Sequence, residues 1–140
     1  MGTLTLSSYS IRLLIIFSDF VINCGTTALA QAFSSHNLPV YKLVFNTGSQ
    51  THGATTPFLF DEDGSDNAGA IKDWFVSFAV HLDPSAERWS GVKTPEWPAY
   101  GKNGDVLVVN STDLDILTDD RFDLGERCAF WRKNGDIAQN

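Results

Sequence analysis

His52 is the side chain of this sequence best suited to carry a reaction. It stands in the run Thr51-His52-Gly53-Ala54-Thr55-Thr56-Pro57-Phe58-Leu59-Phe60, shortly after the apolar segment Val40 to Asn46. An imidazole titrates near neutral pH, so it can take a proton from a hydroxyl nucleophile and return it to a leaving group. Taken alone, a loop histidine more often has no chemical task. The serine that such a base would activate usually sits in a Gly-x-Ser-x-Gly turn between a strand and a helix, and no such motif occurs in the 140 residues. Asp61-Glu62-Asp63-Gly64-Ser65-Asp66 has the look of a calcium loop. It fails at its sixth position, Asp66 instead of Gly, and at its twelfth, Lys72 instead of a bidentate Glu. It reads instead as an acidic turn leading into a helix. His36 and His81 have no Cys or His at metal-ligand spacing. No metal and no cofactor is therefore expected. Cys24 and Cys128 are the two cysteines, and spacing alone leaves open whether they are separate buried thiols or a bonded pair.

The elements that would position these residues follow from hydrophobic period. Phe17, Phe20, Val21, Cys24 and Ala28 recur at helical spacing, so Tyr9 to Phe33 is expected to form one or two helices, with Gly25 as a break. Asn37-Leu38-Pro39 ends it, because proline disfavours helical geometry in the residue before it. Val40 to Phe45 is β-branched and aromatic, as suits a largely buried strand, and Asn46 to Gln50 is a polar turn into the His52 loop. Ile71, Trp74, Phe75, Phe78, Ala79 and Leu82 form an apolar stripe on a helix that Asp83-Pro84 ends, and these aromatics are expected in the core. Residues 85–104 read as a long surface connection pinned by Trp89, Trp97 and Tyr100. Asp105 to Asn110 is a strand with Leu114 to Leu117 as partner. A last helix carries Leu124, Cys128 and Trp131 on one face. The fold class is α/β.

Composition narrows the function classes. With 43% hydrophobic and 12% aromatic residues the chain is globular. A net charge of −7 argues against nucleic acid, which wants a basic face. No run of about 18 apolar residues is free of charge, so no membrane span is expected. Arg12, Leu13 to Phe17 and Ala28-Leu29-Ala30 could also be taken for a leader and its cleavage site, but Asp19 and Asn23 interrupt the apolar stretch.

Several segments occur in an order that is more specific than any one of them. Ser18-Asp19-Phe20-Val21-Ile22-Asn23-Cys24, the His52 run, Trp74-Phe75-Val76-Ser77-Phe78-Ala79 and Leu82-Asp83-Pro84 are followed by Trp97-Pro98-Ala99-Tyr100 and Arg127-Cys128-Ala129-Phe130-Trp131. Over roughly Phe17 to Trp131 the chain resembles the C-terminal end of the type-B carboxylesterase, lipase and cholinesterase family. That resemblance implies a partial α/β-hydrolase fold, one incomplete domain over residues 1–140, with helices around a short mixed sheet. It implies that His52 is the base of a serine–acid–histidine triad whose serine, acid and oxyanion hole lie in segments absent from this chain. It further implies a Cys24–Cys128 disulfide, an oxidising compartment and secretion, with which the sequon Asn110-Ser111-Thr112 agrees. Many relatives carry an acidic residue three positions after this histidine, where Thr55 stands here.

Alone, then, the chain is expected not to hydrolyse esters, because His52 has no nucleophile to activate and no donors for the developing charge. An ester would be its substrate only on completion by upstream sequence. The other readings are a non-catalytic truncated paralogue and a small secreted structural or interaction protein. With most of a hydrolase sheet missing, the Val40–Phe45 strand should leave an open edge, so self-association through that edge is expected.

Overall fold

The structure, a computed structural model, describes residues 8–60, 64–122 and 124–135; Asp61, Glu62 and Asp63 of the acidic turn and the side chain of Leu124 lie outside the described set. The chain begins with a long helical arm: α1 (Ser8–Ser18), a π-turn (Asp19–Asn23) and α2 (Cys24–Ser35). Gly25 does not break it. The irregularity comes earlier, at the π-turn, where the Asp19 carboxylate is buried and held by Asn23 Nδ2 at 3.1 Å and Arg127 Nε at 2.6 Å. The arm ends as the sequence predicts. Asn37 takes a left-handed φ of 57°, its N–H donates to the Ser34 carbonyl, and the Leu38 N–H donates to Phe33, a Schellman closure just before Pro39.

Strand β1 (Leu43–Asn46) follows, then a short helix α3 (Thr56–Phe60) that periodicity did not reveal. Helix α4 (Asp66–His81) starts at Ser65, whose hydroxyl accepts the Ala68 N–H at 3.2 Å. It stops where Leu82 turns left-handed, ahead of Asp83-Pro84. Strands β2 (Asp105–Asn110) and β3 (Leu114–Thr118), a 3₁₀ turn (Asp119–Phe122) and helix α5 (Leu124–Lys133) complete the order.

The sheet is β1-β2-β3, with β1 parallel to β2 and β3 antiparallel to β2. Both faces are covered, which explains why β2 is apolar at consecutive positions. Leu107 and Val109 pack with Ala70, Ile71 and Trp74 of α4 and with Trp97, and Leu43 and Phe45 of β1 join them. Val106 and Val108 pack with Ala30 of α2 and with Tyr100, joined by Val40 and Val44. The result is a small three-layer α/β/α body. Trp97 and Tyr100 pin the long connection as expected, whereas the Trp89 side chain is half exposed and its N–H donates to Asp73 Oδ1. Asp73, buried on α4, accepts the N–H groups of Trp89 and Ser90 and the Ser90 hydroxyl.

One expectation about burial needs correction. Phe75 and Phe78 are 49% and 44% exposed and line an open apolar cleft of about 360 Å³ with Leu29, Phe33, Tyr41 and Pro84, because α4 offers the core only its Ile71–Trp74 side. The arm meets one formal criterion for a span. Counting the arm as one helix, Tyr9–Ser35 is long and apolar enough by length and composition. Its polar positions nevertheless belong to the body: Asp19 pairs with Arg127, Cys24 is bonded to Cys128, and Thr27 is buried against Asp119. Those ties argue against a true span. Leu13 to Phe17 and Phe20 to Ile22 are left facing solvent.

Candidate functional site

The sheet places His52 by geometry. β1 runs parallel to β2, and the chain leaves the carboxyl end of β1 at Asn46, the end at which parallel α/β sheets assemble their sites. Here the strand end is tied down. Asn46 Nδ2 donates to Asn110 Oδ1 at 2.8 Å across the sheet, and Gln50 Nε2 donates to Asn46 Oδ1 at 3.0 Å. Gly48, Gln50 and Gly53 adopt left-handed φ values, which lets the loop reverse twice within six residues. Hydrogen bonds from Ala54 N–H to Thr51 and from Thr56 N–H to Gly53 carry it into α3.

His52 stands at the tip of this loop, exposed, and makes no hydrogen bond or ion pair among the described residues. The two hydroxyls next to it, Ser49 and Thr51, bond to each other at 2.8 Å. Thr55 lines a cavity of about 720 Å³ that runs from the His52 loop past β1 to α1, α2 and Arg127. Among the described residues no triad is assembled around His52.

The other sequence candidates fall elsewhere. Cys24 and Cys128 are bonded, joining the start of α2 to α5. Asn110 closes β2, with its Oδ1 accepting from Asn46 and its Nδ2 donating to Asp115 Oδ2 at 3.1 Å. His36 and His81 are exposed at helix ends, His81 beside Glu87 at 3.0 Å. Among the described residues no group of three His, Cys, Asp or Glu is arranged to hold a metal ion.

Sequence reasoning missed the most concentrated polar cluster. Lys42 Nζ reaches both Asp119 oxygens, at 2.8 and 2.7 Å, and Thr27 Oγ1 at 2.6 Å. Tyr100 donates its hydroxyl to the same carboxylate at 2.9 Å. Burial, and then the Asp119 carboxylate, push the Tyr100 phenol up to about 12. The cluster ties α2, the residue entering β1, the long connection and the turn after β3 to one another. One signal was available: Lys42 is a lone charge in an otherwise apolar strand, which demands a buried partner.

No known family profile matches the chain. It is similar to Secreted lipase 4 of Gibberella zeae, with 25% identity over 134 residues, covering 86% of this chain and 23% of that protein. The chain therefore spans about a quarter of the length of the curated relative it matches. A likeness of this depth supports loose kinship with lipases and esterases and a general hydrolase-type ancestry.

Proposed function

We propose that this chain is the C-terminal, histidine-bearing part of a secreted carboxylic-ester hydrolase of the type-B carboxylesterase and lipase kind, a single incomplete domain of the α/β-hydrolase fold. His52 is the triad base. The nucleophilic serine, the acid and the oxyanion hole come from polypeptide outside these 140 residues. The observation that carries the proposal is the placement of His52: an accessible imidazole on a constrained loop at the carboxyl end of a parallel strand, beside an open cavity. The likeness to a secreted lipase and the Cys24–Cys128 bond support the same assignment, the bond because it belongs to an oxidising compartment. On this reading Asn110 is a candidate glycosylation site, and ester substrate binds only to the completed enzyme.

The test has two parts. The purified chain is treated with a fluorophosphonate that labels activated serines; no stoichiometric label is expected, and labelling would refute the absence of a nucleophile. The transcript is also sequenced upstream of the Met1 codon. An in-frame segment with a Gly-x-Ser-x-Gly turn is expected. In that longer protein, His52→Ala should lower kcat by a factor of about 10³ or more with little change in folding. Stop codons upstream on a genuine message would instead favour the second reading, a non-catalytic truncated relative in which His52 is a relic. The observation on that side is that His52 has no described partner.

A further inference from the structure

His52 makes no hydrogen bond of its own among the described residues, so its position is set by whatever holds the two ends of the stretch that carries it. Both ends are held by Asn110, the last residue of β2. Before the loop, Asn46 closes β1 and stands opposite Asn110 in the parallel register; its Nδ2 donates to Asn110 Oδ1 at 2.8 Å. After the loop, Asn67 in the first turn of α4 donates its Nδ2 to the Asn110 carbonyl at 2.8 Å. The next pair along the sheet repeats the tie, with the hydroxyls of Thr47 and Ser111 3.1 Å apart and Thr47 buried. Gln50 carries it into the loop by donating to Asn46 Oδ1 at 3.0 Å.

Asn110 is itself fixed from the side of the third strand. Its N–H donates to the Asp113 carbonyl at 3.0 Å, and its Nδ2 donates to Asp115 Oδ2 at 3.1 Å. Every polar group of the residue is therefore in use. Its two oxygens accept from the two ends of the His52 stretch, and its two nitrogens donate to β3 and the turn before it. This arrangement needs an amide. The side chain must accept on the β1 side and donate on the β3 side, which a carboxylate cannot do beside Asp115.

We infer that Asn110 is a positioning residue for His52, a clamp that pins both ends of its stretch to the sheet. The catalytic meaning of the clamp rests on the proposed role of His52 as triad base, since such a base has to be held to within about 0.5 Å. The clamp itself is built entirely from β1, β2, β3 and α4 of this chain, so it is present whether or not upstream polypeptide completes the sheet.

The experiment is residue-resolved hydrogen exchange on the oxidised chain, with the His52 imidazole resonances recorded on the same samples. The Ala54 and Thr56 amides, bonded to Thr51 and Gly53, report order inside the loop, and the Leu107 amide reports the sheet. Asn110→Ala should speed exchange at Ala54 and Thr56 about tenfold, the effect of losing two side-chain bonds of ordinary strength, and leave Leu107 unchanged. The His52 resonances should sharpen toward those of free histidine. Asn110→Asp should do the same, because it sets two carboxylates against each other. Asn110→Asp combined with Asp115→Asn exchanges donor and acceptor and should restore both the slow rates and the His52 resonances. Unchanged loop rates in Asn110→Ala would overturn the inference. So would an equal rise at Leu107, which marks general loosening, or a double variant that restores nothing. If Asn110→Ala does not fold, Asn46→Ala removes the near tie from an exposed position, and unchanged Ala54 and Thr56 rates there would count equally against the clamp. Fluorophosphonate labelling bears on the hydrolase reading alone, so either can fail without the other.

Discussion

Replacing Lys42 by methionine tests the account of the buried cluster most directly. The side chains of Lys42 and Asp119 are 11% and 6% exposed, so this is not a surface ion pair of the kind worth less than about 1 kcal/mol. Lys42→Met keeps the length and apolar stem of the side chain but leaves the Asp119 carboxylate buried, with only the Tyr100 and Thr27 hydroxyls near it. Breaking a buried pair by removing one partner costs about 3–5 kcal/mol, most of it the uncompensated charge. Whole domains are stable by about 5–15 kcal/mol, so the variant should lie close to the folding threshold. In urea, with a slope of about 1–3 kcal/mol per molar, the midpoint should fall by about 2 M at unchanged slope. Adding Asp119→Leu removes the stranded carboxylate, and the double variant should be no less stable than Lys42→Met alone. Circular dichroism across a urea titration, with the disulfide intact, measures all three proteins. A loss of less than about 1 kcal/mol for Lys42→Met, or strictly additive losses in the double variant, would refute the claim that the cluster is a buried, coupled unit.

The same cluster makes an alkaline prediction. The Tyr100 phenol is raised from 10.0 to about 12 by burial and by Asp119. A raised value means that the folded state holds its proton more tightly than the unfolded chain. Its contribution, about 3 kcal/mol at most, is complete below pH 10 and is lost as pH rises from about 10 to 12. Tyr100→Phe should flatten the urea-midpoint profile across that window; an unchanged profile would assign the alkaline loss to other groups. For the disulfide, the two half-cystines are 104 residues apart, and in the chain-entropy model a loop of that size is worth up to about 4.7 kcal/mol. Cys24→Ala with Cys128→Ala should therefore lower stability by several kcal/mol. Hydrogen exchange should rise first in α5, whose other ties to the arm include Arg127–Asp19, Arg132–Gln31 and the Phe20–Trp131 ring contact. Equal loss of protection throughout the molecule would count against that order.

How much of this could be read from the sequence depended on the range of the interaction. The β2 run Val106 to Val109, the ends of the arm at Asn37 and of α4 at Leu82, and the His52 loop after β1 were legible, because period and end signals are local. Phe75 and Phe78 were not. Helical spacing showed that α4 has an apolar stripe, but not that the stripe is wider than the neighbour it packs against. The π-turn was hidden for a related reason: its partner Arg127 is 108 residues away, and nothing near Asp19 announces it. Asp73 and Asp119 were likewise invisible, since each gains its role from a segment that only the folded chain brings near. The sequence singled out His52, but that the neighbouring hydroxyls of Ser49 and Thr51 bond to each other and not to the imidazole could be seen only in the folded loop.

That pattern bears on how the helical arm is held. Its apolar residues do little of the work: Leu13 to Phe17, Phe20 to Ile22 and Leu29 are exposed, and among the described arm residues Asp19, Thr27 and Ala30 are the buried ones. The arm is fixed instead by directional ties at successive points: Asp19 to Arg127, Cys24 to Cys128, Thr27 to Lys42, and the Ser34 hydroxyl to the Gly101 carbonyl at 2.9 Å. Such ties specify position and register, whereas apolar burial supplies most of the free energy of folding without direction. A helix placed by polar and covalent contacts keeps its location whether or not its apolar face is covered. The cavity beside β1, walled by Ile22, Thr26, Leu29 and Ala30 of that arm, therefore keeps its shape without needing an occupant to order it.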